Sequence, residues 1–219
     1  MIIHEIMEQG GVDWHAIRRG IPTASAFDRI ITPKTLALAS GRNSYVDELI
    51  AAAAFPDTMS NKFKGTYWTE RGQQIEPMAR EWLAEHLGEP IEEVGFVTSD
   101  AGDIGFSPDG VIGLDVTNST FCCGVEIKCE APSTHVRYMR EKHAGLPLDH
   151  RLQVHGSMAV SGVRDWVFCS YCPGWQPIVH HVKWDATTDI VSGLLMDFCA
   201  ELAHWRSMLL PRLQPVEAS

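Results

Sequence analysis

No stretch of this chain approaches the roughly 20 consecutive apolar residues that a membrane-spanning helix needs. Its opening residues, MIIHEIMEQGGVDWHAIRRG, carry acids where a secretory leader has its basic and apolar regions. A soluble, cytoplasmic protein with no membrane partner is the expectation. The six cysteines lack the spacing of a disulfide or metal framework: Cys122 and Cys123 are adjacent, Cys129 and Cys169 lie in apolar strand-like runs, and Cys169 and Cys172 form a lone CxxC. With no second CxxC and no matching Cys/His pair to complete four ligands, a zinc or iron–sulfur centre is disfavoured and buried free thiols are expected. Internal repeats and low-complexity linkers are also missing, so residues 1–219 read as one domain.

Positive charge is in short supply. Lys and Arg number 18 against 28 Asp and Glu, a net charge of −10, which at first argues against a nucleic-acid partner because phosphate contacts come from basic side chains. The distribution weakens that objection. Residues 1–80 hold nine basic and nine acidic residues, whereas 81–219 hold nine and nineteen. Within the acidic part, Lys128 to Arg151 reverses the balance with five Lys/Arg, three Asp/Glu and His135, His143 and His150. A locally basic groove on an acidic body is compatible with such a sequence.

What is present reads as an α/β chain of the α+β-like kind. GIPTASAFDRII predicts a turn and then a helix capped by Thr23 or Ser25, and SYVDELIAAAAF a second helix beginning after Ser44. A third, from about Gln73 to Leu87, puts Ile75, Ala79, Trp82, Leu83 and Leu87 on one apolar face with Glu76 at its border. EEVGFVT, IGFSPDGVIG and CCGVEIKC follow as three strands of an expected antiparallel meander. Helices around Ser133–Lys142 and Leu148–Val160, strands in RDWVFCSYC and PIVHHVKW, and a long helix from about Thr187 to Leu210 capped by Asp185 complete the order. The sum is a central mixed sheet flanked by helices.

Within that frame, Asp109 sits on a turn between two strands, and Glu126 and Lys128 are two apart on the next. Strand alternation puts that acid and base on one face while Val125, Ile127 and Cys129 share the other. Carboxylates so placed are the hard oxygen donors that Mg²⁺ takes, a bound metal activates water, and a fixed cation nearby stabilises charge developing on phosphorus. Each piece also has an ordinary reading, Asp109-Gly110 as a hairpin turn and Glu-x-Lys as a solvated face; together, with Glu76 upstream, they point to phosphodiester cleavage.

Pro108-Asp109 followed by Glu126-Ile127-Lys128 resembles the signature of the PD-(D/E)xK nuclease superfamily. WHAIRRGIPTAS (Trp14–Ser25), RGQQIEPMAR (Arg71–Arg80), FSPDG, VEIKC and LQVHGSM further resemble, in order and rough spacing, the lambda exonuclease or YqaJ-like viral recombinase family. That resemblance implies a restriction-endonuclease-like core. It implies Asp109, Glu126 and the Ile127 backbone carbonyl as metal ligands, with Glu76 completing the shell. Lys128 would be the catalytic base or water-orienting cation, and Gln153 would help to hold the nucleophile or the scissile strand, although Ser157-Met158 stand where relatives often have an aromatic residue. Arg18, Ser25 and Ser107 would form a pocket for a terminal 5′ phosphate, where a guanidinium fork and hydroxyls suit an anion; their plainer readings are a surface arginine beside Arg19 and a helix cap.

The implied activity is a Mg²⁺-dependent, Mn²⁺-tolerant exonuclease that degrades double-stranded DNA ends from 5′ to 3′. It would release mononucleotides and leave 3′ overhangs for phage-type recombination in a bacterial host. The family resemblance also implies a ring-shaped homotrimer and a single-strand annealing protein as partner. Rivals are an endonuclease or repair nuclease on the same core, and a non-catalytic DNA-end-binding protein. Lys62, Lys64, Tyr67, Trp68, Arg137 and Arg140 are candidate DNA contacts, with loop anchoring and solvated helix faces as the alternatives. His180 and His181, adjacent on a strand, face opposite ways and cannot form a one-face metal pair. Trp14, Trp82 and Trp205 are read as core.

Overall fold

The computed structural model describes residues 1–4, 10–55, 67–141 and 145–212. Its elements, in order, are β1 (Ile2–His4), α1 (Val12–Ile17), a 3-10 helix (Ala24–Arg29), β2 (Ile31–Thr32), β3 (Ala37–Leu38), α2 (Arg42–Ala54) and α3 (Tyr67–Leu87). Then come β4 (Phe96–Thr98), β5 (Gly105–Phe106), β6 (Gly110–Ile112), β7 (Cys123–Lys128), α4 (Pro132–Glu141), α5 (Arg151–Ser161), β8 (Asp165–Ser170), β9 (Ile178–Lys183) and α6 (Ala186–Leu209).

The main sheet runs β6-β7-β8-β9. Its central β7–β8 pair is parallel and the outer pairs are antiparallel, the mixed sheet that the order of elements predicts. The parallel pair needs a crossover, and α4 and α5 supply it. Alternation then sorts the faces. Val125 and Ile127, with Val167 and Cys169, pack against Ala79 and Leu83 of α3. The opposite face of β7 carries Glu126 and Lys128, beside Phe168, which joins a core with Leu152 and Val154 of α5 and Phe198 of α6. A Cβ at Gly156 would stand 2.2 Å from the Phe27 ring, so α5 rests directly on the 3-10 helix.

The meander is not continuous. The run IGFSPDGVIG breaks at Ser107-Pro108-Asp109: β5 pairs with β4 in a three-stranded sheet β1-β4-β5, and β6 pairs with β7 in the main sheet. Proline cannot donate to a ladder, which accounts for the break. The segment after Thr23 is 3-10 rather than α-helical and Thr23 makes no side-chain cap bond; α2 starts two residues before Ser44, and α3 begins at Tyr67 with Pro77 accommodated inside it. All six cysteines are free, Cys169 and Cys172 buried as expected but Cys122 exposed. Among the described residues no helix is long and apolar enough to cross a membrane.

Candidate active site

β6 begins only at Gly110, opposite Val125, so β7 continues beyond its neighbour with one edge uncovered. The Asp109 N–H still reaches the Val125 carbonyl at 3.1 Å. Two residues on, where the ladder would need another acceptor, the Asp109 side chain takes its place: Oδ2 accepts the Ile127 N–H at 2.6 Å. Lys128 turns its backbone the other way, its carbonyl accepting from Tyr171 at 2.9 Å. Glu76, Asp109, Ile127, Lys128 and Glu130 line one open cleft of about 400 Å³. Glu126 is 1 % exposed and forms an ion pair with Lys128.

The charges are crowded. Burial, reinforced by Asp109, pushes Glu76 up to about 7, and burial with Asp109 and Glu76 close by pushes Glu126 up to about 8. Burial also raises Asp109, against the pull of Lys128 and the Ile127 N–H. Burial alone would lower Lys128; the Glu126 and Asp109 carboxylates outweigh it and hold the amine charged. Glu126 Oε1 is buried and, apart from that ion pair, accepts no hydrogen bond of good geometry. Hard oxygen donors that disfavour one another fit a divalent cation. Among the described residues no three His, Cys, Asp or Glu side chains stand together at ligand spacing, so a metal here would complete its shell with the Ile127 carbonyl and water, as Mg²⁺ commonly does.

Arg80 is the participant that sequence reasoning missed. Its Nε donates to the Asp109 carbonyl at 2.8 Å, one Nη donates to Glu76 Oε1 at 2.6 Å, and the other pairs with Glu93. The signal was there in part, since Glu76 and Arg80 have helical i,i+4 spacing. Gln153 lies in the first turn of α5, the helix over the Glu126 face, half-buried and not among the residues lining the cleft.

The three residues of the expected phosphate pocket meet. Arg18 donates to Ser107 Oγ at 3.0 Å and to Ser25 Oγ and Thr23 Oγ1 at 3.4 Å. Its guanidinium lies 3.8 Å from the centre of the Trp14 ring, whose Nε1 donates to Ser107 at 2.9 Å. Trp14 is thus a wall of this cluster rather than core, Trp82 is half-buried, and Trp205 is 41 % exposed. Burial lowers Arg18 to about 10, and among the described residues no carboxylate pairs with it. A half-buried cation whose partners are hydroxyls and an indole is suited to an anion.

Of the candidate DNA contacts, Arg140 is exposed on α4, and Arg137 stacks on Tyr138 and donates to Asp149 at 2.5 Å. Lys62, Lys64 and the side chains of Tyr67 and Trp68 lie outside the described residues. His180 is half-buried and His181 exposed.

Residues 13–164 match the YqaJ-like viral recombinase domain. No curated protein matches the chain. Among solved structures it is similar to an alkaline exonuclease (LHK-Exo) from Laribacter hongkongensis, at 25% identity and a TM-score of 0.74, over 92% of this chain and 97% of that one; the same enzyme has also been solved in complex with dAMP. A phage related exonuclease from Haemophilus somnus 129PT shares the fold at 12% identity and a TM-score of 0.63, over 89% of this chain and 96% of that one. Matched over more than half its length, with Asp109, Glu126 and Lys128 gathered at the uncovered edge of its sheet, the chain belongs to the YqaJ-like viral recombinase family.

Proposed function

We propose that this nuclease of the YqaJ-like viral recombinase family degrades double-stranded DNA ends from 5′ to 3′ with the help of a divalent cation, Mg²⁺ or in its place Mn²⁺. The product would be mononucleotides and 3′ overhangs for recombination. One observation carries the reading. The anion pocket and the acid cleft are joined by a single tripeptide, Ser107-Pro108-Asp109, so the Cα atoms of Ser107 and Asp109 stand at most about 7 Å apart. A terminal phosphate anchored on Arg18, Ser25 and Ser107 would leave the next phosphodiester beside Asp109, which favours removal of one nucleotide at a time from a 5′ end. The dAMP complex of the Laribacter enzyme supports a mononucleotide product.

Asp109, Glu126 and the Ile127 carbonyl would hold the metal, with Glu76 able to join them. A bound metal supplies an activated water and neutralises charge gathering on phosphorus. Lys128, kept charged by its carboxylate neighbours, acts as a cation that orients the water and the scissile phosphate. The family resemblance adds a ring-shaped homotrimer and a single-strand annealing partner to the proposal.

A gel assay of linear duplex labelled at the 5′ or 3′ terminus, with and without Mg²⁺, tests this. The 5′ label should leave first and only with metal, Lys128→Ala should abolish its loss, and Arg18→Ala should slow 5′-phosphorylated ends much more than 5′-hydroxyl ends. Cutting of a covalently closed circle overturns the end-directed reading, and equal slowing of both ends removes the phosphate pocket.

A further inference from the structure

The loop Tyr171–Pro177, between β8 and β9, starts at the end of the sheet where the acids stand. Its first N–H, from Tyr171, donates to the Lys128 carbonyl at 2.9 Å, and Ser170 faces Lys128 across the parallel ladder. The tip of the loop carries Trp175, 50 % exposed. Trp175 is four residues past Tyr171, so its backbone lies within about 14 Å of it. A large indole in water on a loop is ordinarily disfavoured by the apolar area it leaves uncovered.

The loop is also held by several bonds. Its third turn residue, Gly174, has φ +85°, a conformation that favours glycine. The Trp175 N–H donates to the carbonyl of Cys172 at 3.0 Å, and Cys172 is 1 % exposed. Beneath it His135 is fully buried and spends both ring nitrogens on this region: Nε2 lies 3.1 Å from the Gln176 carbonyl and Nδ1 2.8 Å from Ser170 Oγ. A carbonyl only accepts, so Nε2 carries the hydrogen, and in the neutral ring Nδ1 accepts from the Ser170 hydroxyl. His135 belongs to α4, whose first residue follows Glu130 and Ala131 of the acid cleft. One buried side chain thus locks the loop to the element that leaves the site.

We propose that Trp175 is a stacking platform for a nucleobase of the bound DNA. Every base has a π-face, so stacking is tolerant of sequence, as an enzyme that digests whatever end it meets requires. The platform takes a base freed from the duplex, since stacking between neighbouring pairs hides the face that an indole can cover. This inference rests on the nuclease reading, and the test separates the two.

Binding is measured by fluorescence anisotropy in EDTA, using a labelled 5′-phosphorylated duplex with two mismatched nucleotides at that end, and the same duplex with abasic sites in their place. Wild-type protein should lose about tenfold in affinity on the abasic duplex, Trp175→Ala should show that loss already on the intact one and lose no more, and Trp175→Phe should retain most of the binding. If Trp175→Ala binds the mismatched duplex as tightly as wild type, or loses as much again on the abasic one, the platform is overturned while the nuclease reading stands. If Trp175→Ala alters the mass in sedimentation and leaves DNA binding unchanged, the indole is an interface between copies and the proposal again fails. A wild-type protein that binds neither duplex overturns both.

Discussion

Glu126 is 1 % exposed and shares its surroundings with Asp109 and Glu76; burial raises the proton affinity of both glutamates, Asp109 adds to each, and Glu76 adds to that of Glu126. An acid whose folded-state pKa lies above its unfolded value weakens the fold at high pH, and the penalty is relieved as pH falls through the folded value. For Glu126 and Glu76 those values are about 8 and about 7. Metal-free protein should therefore gain stability as pH falls from 8 towards 5. Glu126→Gln should stabilise it at pH 8 by on the order of 2 kcal/mol while abolishing cleavage; urea unfolding in EDTA reads the first and the labelled-duplex assay the second. A Gln variant less stable than wild type at pH 8 would sink the idea that charge crowding strains this site. The pairing of Glu126 with Lys128 was legible because strand alternation is local. That Asp109 would fill a missing rung by accepting from Ile127 was not, because it depends on where β6 begins, a matter of tertiary packing.

Helix α3 is the element that ties the site together, through Arg80. One guanidinium holds Glu76 on its own helix and the Asp109 carbonyl at the start of β6, fixing the distance between two acids on different elements. Arg80→Ala should raise the Mg²⁺ concentration needed for half-maximal rate by about tenfold or more, and Arg80→Lys should rescue it only in part because an ammonium lacks the fork. An unchanged metal requirement in Mg²⁺ titrations of the rate would remove this role. Sequence reasoning located α3 but not this bond: the apolar stripe Ala79–Leu83 marks which face is buried, whereas a contact from position 80 to a backbone carbonyl 29 residues away leaves no periodic trace. By contrast the cap of α6 was legible, with the helix starting one residue before the expected Thr187. Asp185 accepts from Thr187 and Thr188 N–H at 2.8 and 3.3 Å, and the Thr188 hydroxyl answers the Asp185 N–H at 3.5 Å, a local exchange that needs no tertiary knowledge. The expected single strand through Ser107–Asp109 failed for the opposite reason, since its two halves choose partners, β4 and β7, that lie on either side in the chain.

At the scale of the whole molecule, an acidic chain that handles DNA must concentrate its few basic groups. A ring of three copies, as the family resemblance implies, would turn those groups inward and the surplus acids outward. Sedimentation at micromolar concentration should then give about three times 24.3 kDa, and a species that stays at the single-chain mass up to assay concentrations would exclude the ring. Sequence totals supplied the paradox of net charge −10, and only the distribution along the chain hinted at its resolution. The carboxylate of Asp109 completes the hydrogen bonding of β7 and faces the cleft as well. Closing the sheet and setting that carboxylate in the cleft are therefore one event, and a chain whose sheet has not yet closed would not yet have this acid in place.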